Sequence, residues 1–364
     1  MSLKDVRREV GQLVIAGFAG HTIPADLKLL AKEFDLGGII LFARNVAEPE
    51  QVAEVAREAR SLTVELPLWV STDQEGGRVA RLKAPFTIWP AMRTLGRSGD
   101  DRLAERFARA LAAELRAVGI SLDYTPVLDI LTNSANPVIG DRALAERAED
   151  VARLGGVIIR TLQAEGIAAC GKHFPGHGDT STDSHHELPL VEHPPDRIER
   201  VELVPFRAAI EAGVASIMTA HILIPSIDAE RPATLSTAIV TGMLKQTLGF
   251  QGLVLSDDIE MRAIGAQYGT VDATVAAIAA GCDAVLMCGT DQGVQMAALE
   301  AIIHAVEDGL LPLKRVEDAL ARHRRTKERF LAGPRPLPLT GSALRTLLGR
   351  DEHQAVAAEM AGFV

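Results

Sequence analysis

Eight short apolar runs divide the chain. Three are "QLVIAGF" at 12–18, "GGIILFA" at 37–43 and "PLWVSTD" at 67–73. Four more begin directly after Gly119, Gly166, Gly213 and Gly281, and the last lies in "GFQGLVLSDDIEM". Each of those four glycines closes a helical stretch, where a left-handed residue suits the C-terminus, and an apolar run follows at once. The first three are spaced 47 residues apart, and the longer final interval holds one further unit. The runs are continuous rather than alternating, as expected of strands buried on both faces. Between them the spacing predicts helices. The clearest is "DDRLAERFARALAAELRAVG", where Leu103, Phe107, Leu111 and Leu115 recur every four residues, with Ser98, Asp100 or Asp101 as cap. Others are predicted at 48–61, 146–165, 196–212, 236–248, 270–280 and 291–309. Eight strands alternating with helices is the count for an α/β fold of the (β/α)8 TIM-barrel type. The open doubly wound alternative has no GxGxxG at its first turn to support it.

After about residue 311 the pattern changes. A helical segment at 314–331 leads into "AGPRPLPLTG", and an amphipathic tail follows. The expected organisation is a catalytic barrel over 1–331, a proline-rich linker over 332–341 and a short C-terminal helical extension over 342–364. The tail is expected to pack on the barrel or on a second copy of the chain, which makes a homo-oligomer conceivable.

Composition narrows the classes. Aromatics are only 4% of the 364 residues, so Ala, Val, Leu and Ile must build the core. A net charge of −10 argues against a nucleic-acid partner, which needs a basic face. No uninterrupted apolar run reaches the ~18 residues of a membrane span, so no membrane partner is expected. Cys170, Cys282 and Cys288 are odd in number and lie in apolar runs, which suits small core residues in a cytoplasmic protein.

In such a barrel, chemistry belongs at the C-terminal strand ends. Polar clusters fall there: "DQEGGRVAR" from Asp73 to Arg81, "PVLDI" with "NPVIGDR" ending at Arg142, "TAHI" with His221, and "SDD" with Asp257 and Asp258. The densest is "GKHFPGHGDTSTDSHHELP", residues 171–189, which holds four of the chain's ten histidines. His173 and His177 have the four-residue spacing of zinc-binding helices, but Pro175 and Gly176 between them exclude a helix. Asp183 and His185 are two apart, so in an extended loop they face the same way, and the carboxylate can fix the tautomer of a proton-transferring imidazole. Gly178, Ser181, Thr182 and Ser184 suit a mobile arm. His177 reads as a turn residue, and His186 has no assigned role.

These motifs together carry a resemblance. "KHFPGHGDTSTDSHHELP", "SDDIEM", "DQEGGRVAR", "GGIILFARN" and "PVLDI" stand in an order similar to the bacterial β-N-acetylglucosaminidases of glycoside hydrolase family 3, over roughly residues 8 to 310. The resemblance implies a retaining hydrolase with Asp257 as nucleophile and His185 as acid/base assisted by Asp183. It places sugar-binding residues at Asp73, Arg81, Arg142, Lys172 and His173. It implies small carbohydrate or muropeptide substrates and neither metal nor organic cofactor. Larger relatives carry a second domain that helps complete the site. None is legible here, so the acid is expected from the barrel's own loop. The run "RALAERAED" after Arg142 departs from the family's R-[S/A]-F-G-x-[D/N]-P. Physics favours a histidine acid: two carboxylates about 5 Å apart in a retaining site repel by roughly 3 kcal/mol at an effective dielectric of about 20, a penalty a neutral imidazole escapes. A β-glycosidase of other sugar specificity, a β-glycoside phosphorylase and a sugar-binding protein on an inactive barrel are the alternative readings.

Overall fold

The computed structural model describes residues 3–63, 66–182, 188–333 and 336–364. All eight apolar runs form strands: β1 (Val14–Ala16), β2 (Gly38–Leu41), β3 (Trp69–Thr72), β4 (Leu122–Asp123), β5 (Ala168–Phe174), β6 (Ser216–Thr219), β7 (Leu253–Asp258) and β8 (Ala284–Met287). Each pairs in parallel with its neighbours in sequence, and β1 pairs with β8 to close the barrel. The continuous apolar runs resolve into two alternating sets. Ile15, Ile40, Trp69, Leu122, Cys170, Leu253, Leu255 and Leu286 fill the barrel interior. Val14, Ile39, Val70, Ala169, Val254 and Val285 face the surrounding helices. Cys170, Cys282 and Cys288 are buried, unbridged core residues.

The helices that follow β1 to β8 are α1 (Ala25–Phe34), α2 (Pro49–Ala59), α3 (Asp101–Ala117), α4 (Ala148–Ala164), α5 (Val204–Glu211), α6 (Ala238–Thr247), α7 (Thr270–Ala280) and α8 (Gln292–Glu307). Of the three candidate caps on α3, Asp100 is the one used: its side chain accepts from the Arg102 N–H. The helix-stop glycines take positive φ as expected, 83° at Gly119 and Gly166 and 72° at Gly213. Two predicted helices differ. The stretch 196–212 breaks into Pro195–Arg200 and α5, because Pro205 has no N–H to offer Val201 and its ring crowds that carbonyl. The segment at 236–248 folds as the wider π-helix α6.

Helix α9 (Leu313–Leu331) closes the N-terminal end of the barrel, leaving the other end as the mouth. Phe330 packs against Trp69, His323 accepts a 2.8 Å bond from the Trp69 indole, and Arg322 donates to the Phe250 carbonyl. Lys327 also points into this floor. It is fully buried, and its Nζ has no hydrogen-bond partner among the described residues. Burial pushes its ammonium down to about 7, with only the charge of Asp35 opposing. A lysine depressed in the native state destabilises the fold most below pH 7 and not at all above its unfolded value near 10. Lys327→Met is therefore expected to raise the unfolding free energy by about 2–4 kcal/mol at pH 6. The gain should shrink towards zero at pH 10, as urea titrations at the two pH values will show. A variant less stable at pH 6 would contradict this account of the floor.

The tail is two helices, α10 (Gly341–Leu347) and α11 (Asp351–Ala361), rather than one. Gly349, at φ 57°, turns the chain between them. Leu344, Leu348, Val356 and Met360 join the outer core of the same chain. The tail docks on α3 of its own chain. At its centre the buried Glu114 carboxylate of α3 accepts four bonds: the Thr87 N–H at 2.9 Å, the Thr87 hydroxyl at 2.6 Å, the Gly349 N–H at 2.9 Å and His353 Nδ1 at 2.7 Å.

Candidate active site

The sugar-binding candidates converge at the barrel mouth. Asp73 directly follows β3. A small hairpin, Gln74–Gly76 with Val79–Ala80, carries Glu75 and leads to Arg81. Lys172 and His173 lie on β5, whose register against β6 shifts at this point. Arg142 ends the short turn Gly140–Arg142 beyond β4. Lys172 Nζ stands 2.7 Å from Asp73 Oδ1 and 2.6 Å from Glu75 Oε1. Arg81 reaches Asp73 Oδ2 at 3.2 Å. Arg142 grips Glu75 with two parallel bonds of 2.8 Å, and its Nη2 lies 3.4 Å from His173 Nε2.

Glu75 and Lys172 are held in their charged forms. Burial alone would lift the Glu75 carboxyl, but Arg142 and Lys172 hold it far below the usual range. Burial opposes the Lys172 charge too, and Asp73 and Glu75 overcome it and raise that ammonium. A partly buried network of alternating charges is rigid, because each group loses its partner's charge if it moves. Asp73 keeps 14% of its side-chain surface exposed, so one edge of the grid remains open at the mouth.

Asp129, at the end of "PVLDI", is a fully buried hub. It accepts from the backbone N–H groups of His173 and His177, and from His173 Nδ1 at 2.6 Å. That bond fixes the orientation of the His173 ring, with Nδ1 on Asp129 and Nε2 turned towards Arg142. His177, expected as a turn residue, also has a sealed side chain. Its ring is buried, bonds Thr180 through Nδ1 at 2.7 Å, and is pushed down to about 4 by burial. Asn136 ties the His177 carbonyl at 2.8 Å. Gly178 is pressed so closely on Ile130 that an added Cβ would meet its carbonyl oxygen at 1.7 Å. Glycine is here for close approach, and the packed chain runs on to Thr180.

Asp257 and Asp258 end β7. Burial would raise both, yet they diverge. His221 and His173, the Asp258 N–H and the Lys172 ammonium hold the Asp257 carboxyl below the ordinary range. Burial lifts Asp258 to about 6, helped by the charges of Glu260 and Asp257. His221, at the end of β6, bonds Thr234 and the Asp258 carbonyl, each at 2.8 Å. Of the two carboxyls, Asp257 is the one held as a carboxylate at the mouth.

The fold thus brings Asp73, Arg81, Arg142, Lys172 and His173 into one network, whose charges reach Asp257. Asp183, His185 and His186 lie outside the described residues. On either side of that segment, the Asp179 carboxylate and the His193 ring pair with each other. Glu75, Asp129 and His221 were visible as strand-end polar residues, but spacing did not mark them as the partners that orient the rest. Among the described residues, no three His, Cys, Asp or Glu side chains gather as a metal cage.

Compared with known protein families, residues 5–325 match the glycosyl hydrolase family 3 N terminal domain. The chain belongs to this family. It is a glycoside hydrolase, and the barrel mouth is where family membership and geometry meet. A β-hexosaminidase of Thiobacillus denitrificans is 42% identical over 259 residues, covering 70% of this chain and 71% of that protein. The solved family 3 β-N-acetylglucosaminidase of Paenibacillus sp. str. FPU-7 superposes with a TM-score of 0.92 at 42% identity. It covers 98% of this chain, which spans 68% of the Paenibacillus protein. NagZ of Neisseria gonorrhoeae superposes at 0.77 with 33% identity, covering 96% of this chain and 97% of that one. No described helix is long and apolar enough to cross a membrane.

Proposed function

We propose that this family 3 hydrolase is a retaining exo-β-N-acetylglucosaminidase. The observation that carries the reading is the divergence of the acidic pair, which keeps Asp257 ionised at a rigid strand end beside a charged hydroxyl-binding grid. Asp257 attacks the anomeric carbon while protonated His185 gives its proton to the leaving oxygen, forming a glycosyl ester. Neutral His185, assisted by Asp183, then takes a proton from water, whose oxygen displaces Asp257 with net retention. Asp73, Arg81, Arg142, Lys172 and His173 hold the sugar hydroxyls. Relatives named β-hexosaminidase and β-N-acetylglucosaminidase support the choice of sugar. Cell-wall muropeptide fragments, met in the cytoplasm, are the proposed natural substrates.

The test is hydrolysis of aryl β-N-acetylglucosaminides of graded leaving-group acidity. His185→Ala should lose about 10²–10⁴-fold on a poor leaving group and far less on dinitrophenolate, which departs without a proton. An equal loss on both would remove His185 from the acid role. Free sugar as product in phosphate buffer supports hydrolysis, whereas sugar 1-phosphate would make the chain a phosphorylase. Undiminished rates in EDTA are expected.

A further inference from the structure

Below the sugar grid lies a carboxyl group that the mechanism does not use. Asp123 ends β4, the strand between the one that leads into Asp73 and the one that carries Lys172. It is fully buried. Its Oδ1 accepts the Gln74 N–H at 2.9 Å, and its Oδ2 has no hydrogen-bond partner among the described residues. An ionised carboxylate wants donors at both oxygens, so one N–H and one empty side suit an uncharged acid.

The bond between the Asp123 carboxyl and the Gln74 N–H is well placed. The Gln74 N–H belongs to the peptide joining Asp73 to Gln74, so holding it fixes the direction in which Asp73 leaves β3. The Gln74 side chain in turn accepts from the Arg81 and Leu82 N–H groups at 2.8 and 3.0 Å. One buried carboxyl therefore orients both residues of the Asp73–Arg81 pair. We propose that Asp123 is a positioning residue of the sugar grip that works as an uncharged acid and loosens the grip when it ionises.

The groups that face it say why. Asp73 and Glu75 approach from the β3 side, and Lys172 and the Cys170 thiol from β5. Burial lifts the Asp123 carboxyl to about 8, with the Gln74 N–H and Lys172 opposing and the two acids adding to the rise. Cys170 is pushed up to about 12 and stays neutral over the same range. Below pH 8 the carboxylates in direct contact with the Lys172 ammonium, among the described residues, are Asp73 and Glu75. Above it, a third carboxylate competes for the same ammonium, and Asp73 is left repelled from below and less firmly held from above.

This rests on the reading of Asp73 and Lys172 as sugar ligands, and direct binding separates the two. Calorimetric titration with N-acetylglucosamine from pH 6 to 9.5 avoids the proton-transfer step altogether. The wild type should bind about tenfold more weakly at pH 9 than at pH 7. Asp123→Asn keeps an uncharged acceptor for Gln74, so it should bind within about threefold of the wild type at pH 7 and lose the alkaline weakening. Asp123→Ala should bind poorly at every pH, and rescue by the amide separates positioning from bulk packing. An alkaline weakening that survives in Asp123→Asn, or none in the wild type, overturns the proposal. So does a well-folded Asp123→Asn that does not bind at pH 7. If Asp73→Ala binds as the wild type does, the reading of the grid is what fails.

Discussion

Asp257→Asn is expected to lower kcat on the order of 10⁴-fold, about 5 kcal/mol of transition-state stabilisation, with little change in KM. The amide fills the same space at the end of β7 and still accepts the Asp258 N–H, so the mouth keeps its shape. What it lacks is the negative charge that forms the glycosyl ester in the proposed mechanism. The neighbouring carboxyl cannot stand in. Asp258 is turned inward, accepting N–H groups from Cys288 and Glu260 at 3.1 Å each, and is lifted towards the protonated form. Asp258→Asn should therefore cost far less than Asp257→Asn, and the reverse order would move the nucleophile by one residue. The same electrostatics sets the acid limb of kcat/KM. As the proposed nucleophile, Asp257 is held below the ordinary carboxylate range by His221 and His173, so activity is expected to fall only as pH drops through that lowered value.

Glu114→Ala should destabilise the fold by about 3–5 kcal/mol. Four donors meet on this carboxylate, and they come from three separate parts of the chain: the Thr87 loop, the Gly349 turn and the α11 histidine. Truncation leaves all of them buried without an acceptor. Burial would raise the Glu114 carboxyl, but His353, Thr87 and Gly349 together hold it below its usual range. A depressed carboxyl stabilises the native state above its unfolded pKa, and that contribution is lost as pH falls through the folded one. The difference between wild type and Glu114→Ala in urea unfolding should thus be largest near neutrality and shrink in acid. Loss of the bond network should also release the tail helices α10 and α11 to protease. A variant as stable and as protease-resistant as the wild type would mean that the apolar face of the tail suffices to dock it.

The barrel was legible because its signals are local. A helix-stop glycine followed at once by a largely apolar run needs no knowledge of the rest of the chain, and Gly119, Gly166 and Gly213 each adopt the conformation their position implies. The break at Pro205 was equally local and was passed over, since the apolar spacing runs straight through it. The strand-end rule then put Asp73, Lys172, His173 and Asp257 at one mouth, because eight parallel strands can present their C-terminal ends on only one side.

Partnership is another matter. Arg142 and Glu75 are 67 positions apart, Lys172 and Asp73 are 99 apart, and His353 and Glu114 are 239 apart. No spacing rule connects them, because the distance that matters is set by barrel closure and not by the chain. Environment is also invisible in one dimension. Asp257 and Asp258 are the same residue type side by side, as are Asp73 and Asp123 at the ends of adjoining strands. The amino-acid sequence alone determined eight strands, their order and the polar residues at their tips, through period and punctuation that act over a few residues. Only the tertiary structure decided which carboxyl is charged, which histidine is a sealed core group and which helix the tail rests on. Those outcomes depend on burial and on fields from residues far away in sequence, and both come into being only when the barrel closes.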